Sequence, residues 1–300
     1  MSRIHEALKK AEQERAGTQP IAPEPPPVVT PMTETEPLAA LPVMAGSAAP
    51  VFSSPFGLDA LLARSARTEW KPDGSTMLFM NGDDTARGTE EFRTLRSRLY
   101  TFREKMAVKT LLVTSALPKE GKSFMSANLA QVMVRQHGRR VLLIDGDLRG
   151  PRLHLMLGTT AGPGLADYLQ GKADEFSIMQ RGPQENLFFI PSGAAVENPA
   201  ELVGNGRLKL LVQRIEPLFD WIIVDSPPAV PVSDASVLAK ACDAVLMVVR
   251  SESTPADVAR KARQEFPDQM LVGVVLNGTR DEAMPYARYY YETYQKDSKT

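Results

Sequence analysis

The sequence predicts an α/β protein: a mostly parallel, doubly wound sheet of the P-loop NTPase type, flanked by helices and preceded by a Pro-rich disordered segment. Three observations predict it. An apolar run at 111–113 leads into Ala116-Leu-Pro-Lys-Glu-Gly-Lys-Ser123, and then into a helical pattern carrying Phe124, Met125, Leu129, Val132 and Met133. Further apolar runs of strand length recur at 141–144, 186–190, 220–224, 244–249 and 271–276, with helical patterns between several of them. That alternation belongs to parallel sheets covered on both faces. Two of the runs end in carboxylates, Asp145 with Asp147, and Asp225. In open α/β sheets the ligand lies outside the carboxyl ends of the strands.

Residues 1–16 carry Ile4, Ala7, Leu8 and Ala11 on one narrow stripe, which predicts a short amphipathic helix. It reads equally as a solvated arm or as a docking peptide. Residues 17–85 read as a linker. Ten prolines between Pro20 and Pro55 exclude a regular helix or central strand there. Residues 56–66 can form one or two helical turns within it. The folded domain is expected over 86–280. It opens with a helix from Thr89, the expected N-cap, whose apolar face is Phe92, Leu95 and Leu99. Glu90, Arg93 and Arg96 recur every third residue, so they share one side: a solvated face, or a charged surface for another subunit.

Gly121 lets the loop turn tightly toward an anion, so that successive backbone N–H groups and a helix N-terminus face phosphate oxygens. Lys122 is placed to reach β- and γ-phosphates, and the Ser123 hydroxyl to meet Mg²⁺. Ala116 stands where the strict P-loop pattern has its first glycine. Asp145 and Asp147 fall one βα unit later, where two carboxylates serve a metal or a proton transfer. The run ending at Asp225 has the form of a Walker B strand, whose aspartate holds Mg²⁺, and Pro227 and Pro228 stiffen the turn after it. Short helical patterns fill 152–157 and 164–170, and another helical region begins at Asn198. A helix at 255–264 connects the last two strands. Asn277, just past the last strand, stands where an amide can meet a base, or where a strand end simply turns.

Residues 281–300 contain five of the protein's seven tyrosines: Tyr286, Tyr289, Tyr290, Tyr291 and Tyr294. Their spacing is neither helical nor strand-like, and no core element follows. Phenol hydroxyls are phosphate acceptors. The net charge of −1 gives no electrostatic case for nucleic acid. Cys242 is the single cysteine, which excludes an intrachain disulfide and a cysteine-built metal site. No apolar run approaches the ~20 residues of a membrane span, and the first residues lack a signal-peptide core, so a cytoplasmic location is expected.

With these pieces placed, residues 86–294 resemble the bacterial tyrosine kinases of capsule and exopolysaccharide assembly. Residues 116–123 match that family's Walker A. LLIDGDLRGP matches its second acidic motif, WIIVDSPP its Walker B, Glu90-x-x-Arg93-x-x-Arg96 its ring-forming motif, and the tyrosine tail its autophosphorylation cluster. Phe124 and Gly150 depart from the usual residues. The resemblance implies an ATP-dependent protein-tyrosine autokinase using ATP and Mg²⁺. It implies catalytic roles for Lys122, Asp145, Asp147 and Asp225. It implies nucleotide contacts from Pro118, Lys119, Glu120, Gly121, Lys122, Ser123, Phe124 and Asn277, and metal contacts from Ser123, Asp145 and Asp225. It implies a homo-oligomeric ring. It also implies a separate transmembrane polysaccharide co-polymerase as activator, a cognate tyrosine phosphatase, and recruitment to the inner face of the plasma membrane. Two rivals share the nucleotide motifs. An ATPase switch of the kind that positions cell-division proteins usually carries a second lysine early in the loop, which Ala116, Leu117 and Pro118 do not supply. A nucleotide-binding scaffold has no need of all three aspartates.

Overall fold

The computed structural model describes residues 57–79 and 88–279. The expectations for the N-terminal helix, most of the linker and the tyrosine cluster lie outside the described residues.

The described chain runs α1 (Leu58–Arg64), β1 (Ala66–Arg67), α2 (Thr89–Lys105), β2 (Thr110–Ser115), α3 (Lys122–Val134), β3 (Val141–Asp145), α4 (Leu153–Leu157) and α5 (Leu165–Leu169). It continues through β4 (Gln180–Arg181), β5 (Leu187–Ile190), α6 (Pro199–Val203), α7 (Arg207–Ile215), β6 (Trp221–Asp225), α8 (Asp234–Ala239), β7 (Ala244–Arg250), α9 (Ala256–Gln264) and β8 (Leu271–Asn277). The strand order is β1-β4-β5-β3-β6-β2-β7-β8, and every pairing is parallel except β4 with β5. The predicted architecture is therefore present.

The central strands β2, β3 and β6 are buried at every position. That is why their sequences are continuous apolar runs rather than alternations. Two apolar layers flank the sheet. One gathers Leu112, Leu142, Phe188, Ile222 and Leu211; the other gathers Leu111, Leu143, Trp221, Leu129 and Phe92. α3 is enclosed on nearly every side, so its polar residues Ser126, Asn128 and Gln131 are buried. Buried polar groups need partners. Asn128 accepts from the Leu78 amide at 2.8 Å and donates to the Thr76 carbonyl at 2.8 Å.

That contact corrects the predicted domain boundary. Residues 57–79, read as linker, belong to the fold. Leu61, Met77 and Phe79 are fully buried, and Trp70 packs edge-on against Phe189 at 6.2 Å. The segment is tied to the C-terminal end of α4 through Lys71 N–H to the Gly158 carbonyl and Asp73 N–H to the Met156 carbonyl. The N-cap also moves by one: Gly88, with φ of 97°, caps α2, while Thr89 is its buried first residue.

Candidate active site

The site forms where β2, β3, β6, β7 and β8 end. β2 delivers the loop 116–121, and α3 begins at Lys122 behind Gly121, which holds φ of 96°. The left-handed backbone favours glycine here, and a Cβ on Gly121 would sit 2.1 Å from the Asn277 amide nitrogen, displacing that side chain. The loop is closed by its own Glu120, whose buried carboxylate accepts the Leu117 amide at 2.7 Å. The N-terminal amides of α3 face the mouth of this loop, the arrangement that favours an anion.

β3 and β6 lie side by side, with Asp145 directly opposite Asp225. The turn after β3 stays close to β6 because Gly146 donates to the Asp225 carbonyl at 2.8 Å; a Cβ there would stand 2.6 Å from that oxygen. The Asp225 carboxylate accepts Ser123 Oγ at 2.6 Å and Ser126 Oγ at 3.0 Å. Lys122 Nζ donates to Asp147 Oδ2 at 2.8 Å and lies 3.6 Å from Asp225 Oδ2. Asp145 spends its two oxygens on the backbone, accepting Asp147 N–H at 3.3 Å and Leu153 N–H at 3.1 Å.

Three carboxylates thus share one lysine in a buried place. Burial pushes Asp145 up to about 8, and its neighbour Asp225 adds to that. Burial also raises Asp225, against the pull of Lys122 and the Ser123 hydroxyl. For Lys122, burial alone lowers the pKa; Asp225, Asp147 and Asp145 outweigh it and hold the ammonium above its usual value. The arrangement therefore favours the neutral forms of Asp145 and Asp225 in the nucleotide-free protein, and a bound cation would favour their ionised forms. The oxygens of Ser123 and Asp225 are hard donors of the kind Mg²⁺ prefers. Among the described residues no cluster of three or more acidic, His or Cys side chains can hold a metal alone.

Two predicted contacts are placed differently. The Phe124 ring packs on Phe92 with centroids 5.9 Å apart, partly buried against the apolar layer. The Asn277 amide donates to the Glu120 carbonyl at 2.8 Å, so it braces the loop. Pro118 and Lys119 are exposed at the loop's tip. Arg93 pairs with Glu90 on α2, as its spacing allows, whereas Arg96 turns inward and donates to the Val132 carbonyl at 2.8 Å.

The sequence reading missed four partners. Ser126 is the second hydroxyl on Asp225; its position one helical turn from Lys122 was a usable signal. Arg149 forms a bidentate pair with buried Asp234, at 2.8 and 3.0 Å. Thr254 donates to Glu120, and Arg250 donates to the Lys119 carbonyl at 3.1 Å. Thr254 and Arg250 are distant in sequence from their partners and carry no motif, and Arg149 lies in the second acidic motif but its partner Asp234 is 85 residues away.

A family described as an AAA domain matches residues 119–257. The tyrosine-protein kinase YwqD of Bacillus subtilis is 34% identical over 194 residues, covering 64% of this chain and 81% of the relative. The chain belongs to the bacterial tyrosine kinases. The tyrosine-protein kinase CpsD of Streptococcus agalactiae is 32% identical, over 68% of this chain and 90% of its own. Against the longer tyrosine-protein kinase Wzc of Salmonella typhimurium the identity is 33%, and the chain spans only 32% of that protein. Among solved structures, the kinase domain of Escherichia coli tyrosine kinase ETK superposes with a TM-score of 0.62 at 30% identity, covering 68% of this chain and 80% of that one. The chimerical protein CapA2B2 gives 0.64 at 27% identity, covering 75% and 98%. The septum site-determining protein MinD of Pyrococcus horikoshii, complexed with Mg-ADP, shares the fold alone, at 23% identity and a TM-score of 0.50, covering 60% and 75%. Among the described residues no helix is long and apolar enough to cross a membrane.

Proposed function

We propose that this chain is an ATP-dependent protein-tyrosine autokinase that phosphorylates Tyr286, Tyr289, Tyr290, Tyr291 and Tyr294 and so regulates capsule or exopolysaccharide polymerisation and export. The observation that carries the reading is Lys122 lying between Asp147 and Asp225 at a phosphate-binding helix start, in a chain whose tyrosines are concentrated just past the last strand.

The loop amides from Glu120 to Phe124 receive the β- and γ-phosphates, with Pro118 and Lys119 at the loop's tip, and Lys122 leaves Asp147 to meet them. Ser123 and Asp225 would hold a divalent cation, with Asp145 behind them. A cation held there would supply charge neutralisation for the transferred phosphoryl group. Losing Lys122 frees the Asp147 carboxylate, which stands at the edge of the cluster; we assign it the phenol proton. Asp145 is wholly buried, holds two backbone amides and is raised to about 8, so it is poorly placed to reach a substrate hydroxyl. A free tyrosine has a pKa near ~10, so a base at the point of attack aids the transfer.

Tethering keeps the tail at an effective concentration in the ~mM range, for its own site or a neighbour's. Each phosphotyrosine adds about −1.5 to −2 charges, which repels the tail from the carboxylate cluster. We further propose a homo-oligomeric ring built on Glu90, Arg93 and Arg96. A transmembrane co-polymerase activates it at the inner membrane face, and a cognate phosphatase reverses it. The test is a mixing experiment with tagged Lys122→Met chain as substrate for untagged wild type. Phosphotyrosine on the tagged tail, rising with concentration, is expected. No phosphotyrosine on either chain with MgATP and the cytoplasmic peptides of the membrane partner would overturn the kinase reading.

A further inference from the structure

We infer that the end of β7 and the loop after it, residues 250–254, form a clamp that sets the shape of the phosphate-binding loop, with Thr254 as its positioning residue. The inference rests on the kinase reading only for the identity of the nucleotide.

Three contacts join the two loops. Thr254 Oγ1 donates to a Glu120 carboxylate oxygen while accepting the Arg250 amide at 3.2 Å. The Arg250 guanidinium donates to the Lys119 carbonyl at 3.1 Å. From the adjoining strand end, Asn277 donates to the Glu120 carbonyl at 2.8 Å. Two consecutive residues of the phosphate loop are thus gripped from the ends of β7 and β8. Glu120 in turn closes the loop through the Leu117 amide at 2.7 Å. The Thr254 hydroxyl is therefore linked to the loop's conformation through one carboxylate.

Backbone geometry supports the same conclusion. Among the described residues two non-glycine residues hold left-handed backbone, Lys119 with φ of 66° and Glu252 with φ of 57°. L-residues disfavour that region, and a residue stays there only where its surroundings over-determine it. These two lie on the two loops that the clamp joins. Lys119 immediately precedes the residues whose amides receive phosphate. If it relaxes to the right-handed region, the amides that follow change direction.

Thr254 touches neither the lysine nor the carboxylates of the reaction, so its loss weakens the ground state and the transition state alike. The experiment measures KM and kcat for ATP in tyrosine phosphorylation. Nucleotide affinity is measured separately by titration with a fluorescent ATP analogue, on full-length wild type, Thr254→Val and Thr254→Ser. Removing a hydrogen bond to a buried carboxylate is expected to raise KM about tenfold in Thr254→Val, with kcat changed less than about twofold. Thr254→Ser keeps the hydroxyl and is expected to restore both affinity and KM. Arg250→Ala, at an exposed side chain, removes the second tether without disturbing the core and should weaken the nucleotide several-fold. Wild-type affinity in Thr254→Val, or equal impairment in Thr254→Val and Thr254→Ser, would overturn the clamp. Wild type that binds nucleotide without forming phosphotyrosine would count against the kinase reading and leave the clamp intact.

Discussion

Replacing Lys122 by Met removes the one cation that three buried carboxylates share, and the structure sets the size and the pH dependence of the damage. Nζ lies 2.8 Å from Asp147 and 3.6 Å from Asp225, with the lysine side chain 11% exposed and the two carboxylates 8% and 0%. Breaking a buried pair by removing one partner typically costs about 3–5 kcal/mol. The cluster can escape by taking up a proton. For a carboxylate with an ordinary pKa near ~4 that costs about 1.4 kcal/mol per pH unit above it: roughly 3 kcal/mol at pH 6 and roughly 6 at pH 8. Destabilisation is therefore capped near ~3 kcal/mol at pH 6 and reaches the upper end of the buried-pair range at pH 8. For a domain of this size 1 kcal/mol moves Tm by about 2–4 °C, so the loss of Tm should be larger at pH 8 than at pH 6 by about 4–8 °C. Thermal unfolding of the nucleotide-free proteins, monitored by circular dichroism at both pH values, measures this. A Tm difference that is the same at both values would refute the charge-sharing account of the cluster.

Further predictions follow from neighbouring contacts. Asp145 and Asp225 are both raised in the folded state. Their neutral forms therefore stabilise the fold below about pH 4, and that contribution is lost as pH rises toward and through about 8, the raised value of Asp145. Nucleotide-free wild type should thus lose Tm between pH 6 and 9. Asp225→Asn should flatten the profile, because the amide does not titrate while both serine hydroxyls can still bond to it, and should abolish phosphorylation, because the carboxylate assigned to the cation is gone. Gly121→Ala adds a side chain at a left-handed position against Asn277; a stability loss of at least about 1–2 kcal/mol and no measurable nucleotide binding are expected. A chain beginning at residue 86 lacks the segment that covers Asn128 and Gln131. It should unfold at markedly lower denaturant than one beginning at residue 57, and Trp70→Ala in the longer chain should cost about 3–5 kcal/mol. Charge reversal of Arg93 and Arg96 together should make tail phosphorylation slow and insensitive to protein concentration; fast phosphorylation in that variant removes the support for a ring.

The strands were legible because burial on both faces leaves an uninterrupted apolar run, as at 111–113 and 221–224. The phosphate loop was legible because glycine, lysine and a hydroxyl must be adjacent to do their work. Asp145, Asp147 and Asp225 were placed by the rule that ligands lie at carboxyl strand ends, and the register of β3 against β6 brings Asp145 opposite Asp225. Residues 57–79 were not legible. Leu61, Trp70, Met77 and Phe79 follow no single period, and the polar partner of that segment, Asn128, is about fifty residues away. Nor could local pattern show that Asn277 would turn to the Glu120 carbonyl, that Phe124 would join Phe92 in a core layer, or that Arg149 would find Asp234. Those outcomes depend on which strand ends become neighbours, and the strand order interleaves distant parts of the chain.

The most direct measurement is phosphotyrosine formation by purified full-length protein with MgATP, mapped by mass spectrometry, beside a chain truncated after Met284. The account predicts phosphate on residues 286–294 in the full-length chain and none in the truncated one. ATP hydrolysis at a steady rate with no phosphotyrosine would contradict it, and would point instead to an ATPase switch built on the same loop.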